Sequence, residues 1–90
     1  MYYLYIIECA DKTLYTGITV DIDRRISEHN SSKLGAKYTR ARRPVKLIYE
    51  KKFRNRSLAL KAEAIVKKMP RDEKLKLINV NYSQNVTLTL

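Results

Sequence analysis

The sequence predicts an α+β protein: a small three-stranded antiparallel sheet flanked by helices, in the order β-β-α-β-α-α. Three observations carry this expectation. Two strand-like runs, "YYLYIIEC" and "TLYTGIT", are separated only by the polar turn "ADK", the pattern of a β-hairpin. A third strand-like run, "PVKLIYEKKF", returns after a helical stretch, so no parallel crossover is needed. Two further stretches carry apolar residues at helical spacing.

Each element follows from its residues. The first strand is rich in aromatic and β-branched side chains, and so is the second apart from Gly17, one of only two glycines in the chain. Glycine weakens a strand, so its smallness is needed there for some other purpose. In "TVDIDRRISEHN", Thr19 or Asp21 can cap a helix, acids fall in the first turn, and Ile22 and Ile26 form an i, i+4 apolar stripe. "SSKLGAKYTRARR" has no periodicity and reads as a long exposed loop around Gly35. Pro44 stands at the entry of the third strand. "SLALKAEAIVKKM" sets Leu58, Ala62, Ile65, Val66 and Met69 on one helical face, and Pro70 closes that helix. "PRDEKLKLIN" starts a short last helix with Pro70 at its first position and Asp72 and Glu73 in its first turn. The organisation expected is one domain over residues 1–80 and a C-terminal tail, 81–90, of β-like alternation.

Composition narrows the function. Ninety residues with 44% hydrophobic content suit a single modest core. The N-terminal residues lack a basic signal-peptide region and no apolar run approaches membrane-spanning length, so a soluble cytoplasmic protein with no membrane partner is expected. One cysteine and one histidine provide neither an internal disulfide nor a structural zinc site. The net charge of +10 favours a polyanion. Between Lys33 and Arg56 lie ten basic residues and one acid, Glu50. This points to a nucleic-acid face, with Lys33, Lys37, Tyr38, Arg40, Arg42, Arg43 and Lys46 as candidate contacts.

Three groups carry candidate chemistry. A three-residue hairpin loop, Ala10 to Lys12, would pair Ile7 with Tyr15 and set Tyr5 opposite Gly17, leaving a notch beside two phenols on one face. A two-residue turn would undo this, and the competing arrangement packs both tyrosines in the sheet with Gly17 in a bulge. Arg25 and His29 are four apart, hence on one helical face bordering the Ile22 and Ile26 stripe; as plain surface residues, Arg25 would pair with Asp21 or Glu28. Glu63 lies at the margin of the later helix's stripe, where it can pair with Lys67 or hold a Mg²⁺ that keeps several waters.

Taken in order, "LYI" at Leu4 to Ile6, "YTG" at Tyr15 to Gly17, Arg25, His29 and Glu63 resemble the GIY-YIG nuclease superfamily, above all its small single-domain bacterial members. The likeness runs from about Tyr2 to Ile78. It implies a GIY-YIG-like fold and metal-dependent hydrolysis of phosphodiester bonds in DNA, more than RNA, structure-selective and linked to repair or recombination. By the same resemblance Tyr5, Tyr15, Gly17, Arg25, His29 and Glu63 are the catalytic set, Glu63 binds one Mg²⁺ or Mn²⁺, and the tyrosines share a face. Gly17 would then leave room for the nucleic-acid backbone. The chain departs from some relatives in having Ile18 where they carry a lysine, and Leu75 where they carry a supporting asparagine. Many relatives also attach a separate DNA-binding module. Here affinity would come from the basic segment, a homodimer or a protein partner. The competing reading is a nucleic-acid-binding module that keeps the fold and cuts little.

Overall fold

The computed structural model describes residues 1–31 and 33–79. The expected tail, 81–90, lies outside them. Strands β1 (Tyr2–Glu8), β2 (Leu14–Thr19) and β3 (Lys46–Phe53) form one antiparallel sheet in the order β2-β1-β3. The hairpin has the register expected from its loop, with Ile7 opposite Tyr15 and Tyr5 opposite Gly17. The Cys9 amide donates to the Thr13 carbonyl at 2.9 Å, and Lys12 closes the loop at φ 70°. This is the three-residue hairpin turn with its last residue in the left-handed region. Asp11 Oδ1 stiffens it by accepting from the Thr13 amide and hydroxyl.

Because β1 is the central strand, its continuous run Leu4 to Ile7 is buried on both faces. On one face Leu4 and Ile6 pack with Tyr49 and Val66, joined by Ala62, Met69, Leu77 and Ile78. On the other, Tyr5, Ile7, Cys9 and Val45 pack with Tyr15, Ile22 and Ile26. The alternation of the strand therefore sends Tyr5 to a different layer from its apolar neighbours. Against β3, Ile6 pairs with Tyr49 and Ile7 with Leu47, so Ile48 is left out of register.

Helix α1 (Ile22–Ser31) is capped by Asp21, whose Oδ1 accepts from the Arg24 amide at 3.1 Å; Thr19, the other candidate, accepts from the Asp21 amide just ahead of it. The stretch expected to be a long exposed loop contains a short helix, α2 (Lys37–Arg40), and its Thr39 is fully buried. Gly35, ahead of that helix, lies against α1: a Cβ there would meet the Glu28 carbonyl oxygen at 2.7 Å and His29 Cα at 2.9 Å. Polar residues gave this segment no period, and its order comes from contact with α1 rather than from its own pattern.

Helix α3 (Arg56–Lys68) is capped by Asn55, and its buried stripe is Ala59 and Val66 with Ala62 and Met69 half-buried. Of the five residues expected to face inward, Leu58 and Ile65 are instead 42% and 61% exposed. Two alanines let the helix approach the sheet closely, and that close approach overrides side-chain bulk in choosing the face. A further helix covers 71–79, with the Lys74 amide bonded to the Pro70 carbonyl.

Candidate active site

The site lies in the layer between α1 and the hairpin. Tyr5, on the most enclosed strand, is 1% exposed, and its hydroxyl is 2.9 Å from Nε2 of His29, itself fully buried. His29 reaches it because α1 turns its last full turn over the sheet, one turn beyond Arg25. Nδ1 of the same ring is 2.7 Å from Thr39 Oγ1, whose hydroxyl donates to the Ala36 carbonyl at 2.9 Å. A chain of three side chains thus runs from β1 through α1 to α2.

The small space at Gly17 has an occupant. A Cβ built there would lie 2.6 Å from the Tyr5 hydroxyl oxygen and 2.8 Å from Cζ. The notch expected for an approaching nucleic-acid backbone is filled by the end of the Tyr5 phenol.

Arg25 is held by Glu28 Oε1 at 2.9 Å and by the Leu34 carbonyl at 2.7 Å. Its guanidinium also acts on Tyr5. Burial raises the Tyr5 pKa above the ordinary phenol value, while hydrogen bonding and charge from Arg25 pull it down and the Glu63 carboxylate adds to the rise. For Arg25 burial opposes the charge, but hydrogen bonds to Glu28 and Tyr5 outweigh it and raise the pKa. Tyr5 therefore feels both the Arg25 and the Glu63 charge, although the three residues come from three elements. Glu63 projects from the α3 margin with a side chain 18% exposed, and Lys67 Nζ stands 3.5 Å from Oε2. One enclosed, hard carboxylate fits a Mg²⁺ or Mn²⁺ that keeps several waters and takes its remaining oxygens from a phosphate.

His29 is neutral at physiological pH. Burial, reinforced by the Arg25 and Arg43 charges, lowers its pKa from 6.5 to about 4. Unfolded, the ring binds a proton below its ordinary value; folded, it resists until about pH 4. Stability is therefore full above pH 6.5 and falls as pH drops toward 4, by a total on the order of 3 kcal/mol. Urea melts are expected to lose about 2 kcal/mol between pH 6.5 and 5, where carboxylates contribute little. A flat profile over that window would contradict a buried neutral His29.

The remaining aromatic groups extend the site outward. Tyr15 meets the His29 ring edge-on at 5.3 Å, and Tyr38 stacks on Tyr15 at 6.0 Å with an interplanar angle of 26°. Arg42 lies over the Tyr38 ring at 3.9 Å and is held by Asp11 at 3.0 Å. Of the other candidate nucleic-acid contacts, Lys33, Lys37 and Arg40 are exposed on the α1–α2 segment, and Lys46 is exposed and 3.5 Å from Glu8. Arg43 is differently employed: it donates to the His29 and Glu28 carbonyls at the end of α1. Thr39 is the residue that sequence reasoning missed. Its only signal was a hydroxyl residue at helical distance from Ala36 in a segment without apolar period.

Comparison with known proteins agrees with this architecture. Residues 1–76 match the family described as the GIY-YIG catalytic domain. The chain is 60% identical over 79 residues to a UPF0213 protein of Syntrophus aciditrophicus, covering 88% of this chain and 91% of that one. It is 53% identical over 76 residues to a UPF0213 protein of Streptococcus agalactiae serotype V, covering 84% and 85%. Among solved structures, the UPF0213 protein BH0048 of Bacillus halodurans superimposes with a TM-score of 0.58 at 43% identity, over 89% of this chain and 85% of that one. Protein EF2693 of E. faecalis does so with a TM-score of 0.62 at 42% identity, over 90% and 85%. By the family match over most of its length and by these relatives, the chain belongs to the GIY-YIG family, a nuclease fold, within its group of small UPF0213 proteins.

Proposed function

We propose that the chain is a metal-dependent endonuclease that hydrolyses phosphodiester bonds in DNA, selects its substrate by structure, and works in the cytoplasm in repair or recombination. The observation that best supports this reading is the buried hydrogen bond between the Tyr5 hydroxyl and neutral His29, set beside the Arg25 guanidinium. A phenol whose pKa is raised by burial is a poor base alone. Because His29 also resists a proton, the two transfers are concerted, and the Tyr5 proton leaves only as the water proton arrives, so no free phenolate forms. In this reading an attacking water gives a proton to the Tyr5 oxygen as the Tyr5 proton moves to His29 Nε2, and the resulting hydroxide adds to phosphorus while the bond to the 3′ oxygen breaks. Arg25 neutralises the charge that grows on the phosphate. Tyr15 hydrogen-bonds the water or the phosphate. Glu63 would hold the divalent ion, whose chemistry when bound is Lewis-acid polarisation of the phosphate and stabilisation of the departing oxygen. Lys33, Lys37 and Arg40 supply the sequence-independent phosphate affinity.

The test is a labelled panel of single-stranded, duplex, flap and branched DNA and RNA incubated with Mg²⁺, Mn²⁺ or EDTA. Metal-dependent cutting concentrated on particular DNA structures is expected, together with binding that weakens steeply as salt rises. Binding without cutting under every metal would replace this reading with that of a binding module.

A further inference from the structure

We infer that Thr39 is a positioning residue that sets the tautomer of His29, leaving Nε2 unprotonated as the acceptor for the Tyr5 proton. The inference rests on hydrogen-bond direction. A threonine hydroxyl has one proton to donate and lone pairs to accept with. The Thr39 hydroxyl spends its proton on the Ala36 carbonyl, 2.9 Å away, so a lone pair faces Nδ1 of His29 at 2.7 Å. Nδ1 must then carry the hydrogen. A neutral imidazole holds only one, which leaves Nε2 bare toward the Tyr5 hydroxyl at 2.9 Å. In the opposite tautomer Nε2–H would point at the Tyr5 oxygen, which Arg25 already favours as an acceptor, and the phenol proton would lose its partner.

The surroundings keep Thr39 in this role. Its side chain is fully buried, its amide bonds to the Ala36 carbonyl at 3.1 Å, and its own carbonyl accepts from the Arg42 amide at 2.9 Å. The Arg42 carbonyl in turn accepts from the Ala10 amide at 2.9 Å, so α2 is tied to the hairpin tip. When His29 takes up a proton from Tyr5, the Nδ1–H stays on Thr39 and the imidazolium needs no rotation. The effect on turnover rests on the endonuclease reading, whereas the tautomer does not.

The chain has a single histidine, so a long-range ¹H–¹⁵N correlation on uniformly labelled protein near pH 7 reads this ring without ambiguity. The wild type and Thr39→Ser are expected to show protonated Nδ1 and bare Nε2. Thr39→Val is expected to shift the ring toward the Nε2–H form, and to lower kcat on any substrate the wild type cuts by about 10- to 100-fold with KM unchanged. Thr39→Ser should keep most of the rate. A wild-type ring protonated on Nε2 would overturn the inference, as would Thr39→Val with an unaltered tautomer. The spectra need no substrate, so a chain that cuts nothing would defeat the endonuclease reading and leave the tautomer to be decided on its own.

Discussion

Glu63→Gln is expected to abolish metal-dependent cleavage while leaving nucleic-acid binding within about twofold. Glutamine keeps the length and shape of the side chain and removes its charge. The pairing with Lys67 is an i, i+4 contact at 3.5 Å to a lysine that is itself half exposed and is worth little, so folding should hardly change. The carboxylate whose charge acts on Tyr5 would be gone, and with it the negative charge proposed to hold a divalent ion. A rate loss of roughly 10³-fold or more is expected, read as single-turnover cleavage at saturating protein. Binding measured in parallel by anisotropy isolates the effect, since the phosphate contacts proposed are made by Lys33, Lys37 and Arg40 and not by Glu63. A variant that still cuts within tenfold of wild type would remove Glu63 from the metal site.

Gly17→Ala is expected to damage both stability and cleavage. The added methyl would sit 2.6 Å from the Tyr5 hydroxyl oxygen, about 1 Å inside ordinary contact, and the ring has nowhere to withdraw within a 1% exposed site. Overpacking of this kind costs about 1–3 kcal/mol. The cheapest relief tilts the phenol away from β2, which breaks its alignment with His29 Nε2. A displacement near 1 Å at a proton-transfer pair costs on the order of 10²-fold in rate. Thermal melts and single-turnover rates together check this, and wild-type cleavage by a folded Gly17→Ala chain would show that the Tyr5 to His29 contact is dispensable.

Much of this architecture was legible because it is local. The turn "ADK" dictates the hairpin register, and the register alone places Tyr5 opposite Gly17. Asp21, one of the two cap candidates, stands where a helix begins and acts as its cap. What escaped is what depends on distant neighbours. His29 reads as a residue bordering the Ile22 and Ile26 stripe, and its complete burial comes from neighbours distant in sequence, Tyr5 and Tyr15 on the hairpin and Thr39 on the α2 segment. The inward face of α3 was misjudged because Leu58 and Ile65 are bulkier than Ala59, yet close helix-to-sheet packing selects the smaller residue. Gly17 advertised a need for space, but its sequence could not say that the space belongs to Tyr5.

Helix α2 has only four residues, far short of the length at which a helix persists unaided. Its order is borrowed from the Asp11 and Arg42 ion pair, the Ala10 to Arg42 backbone bond and the histidine beneath it. Tyr5, by contrast, belongs to the middle strand of the sheet, the last part of such a fold to open. The two ends of the relay therefore have unequal resistance to fluctuation. Warming or mild denaturant would release Thr39 while the sheet still stands, so the cleavage proposed for this chain would be lost before the sheet opens.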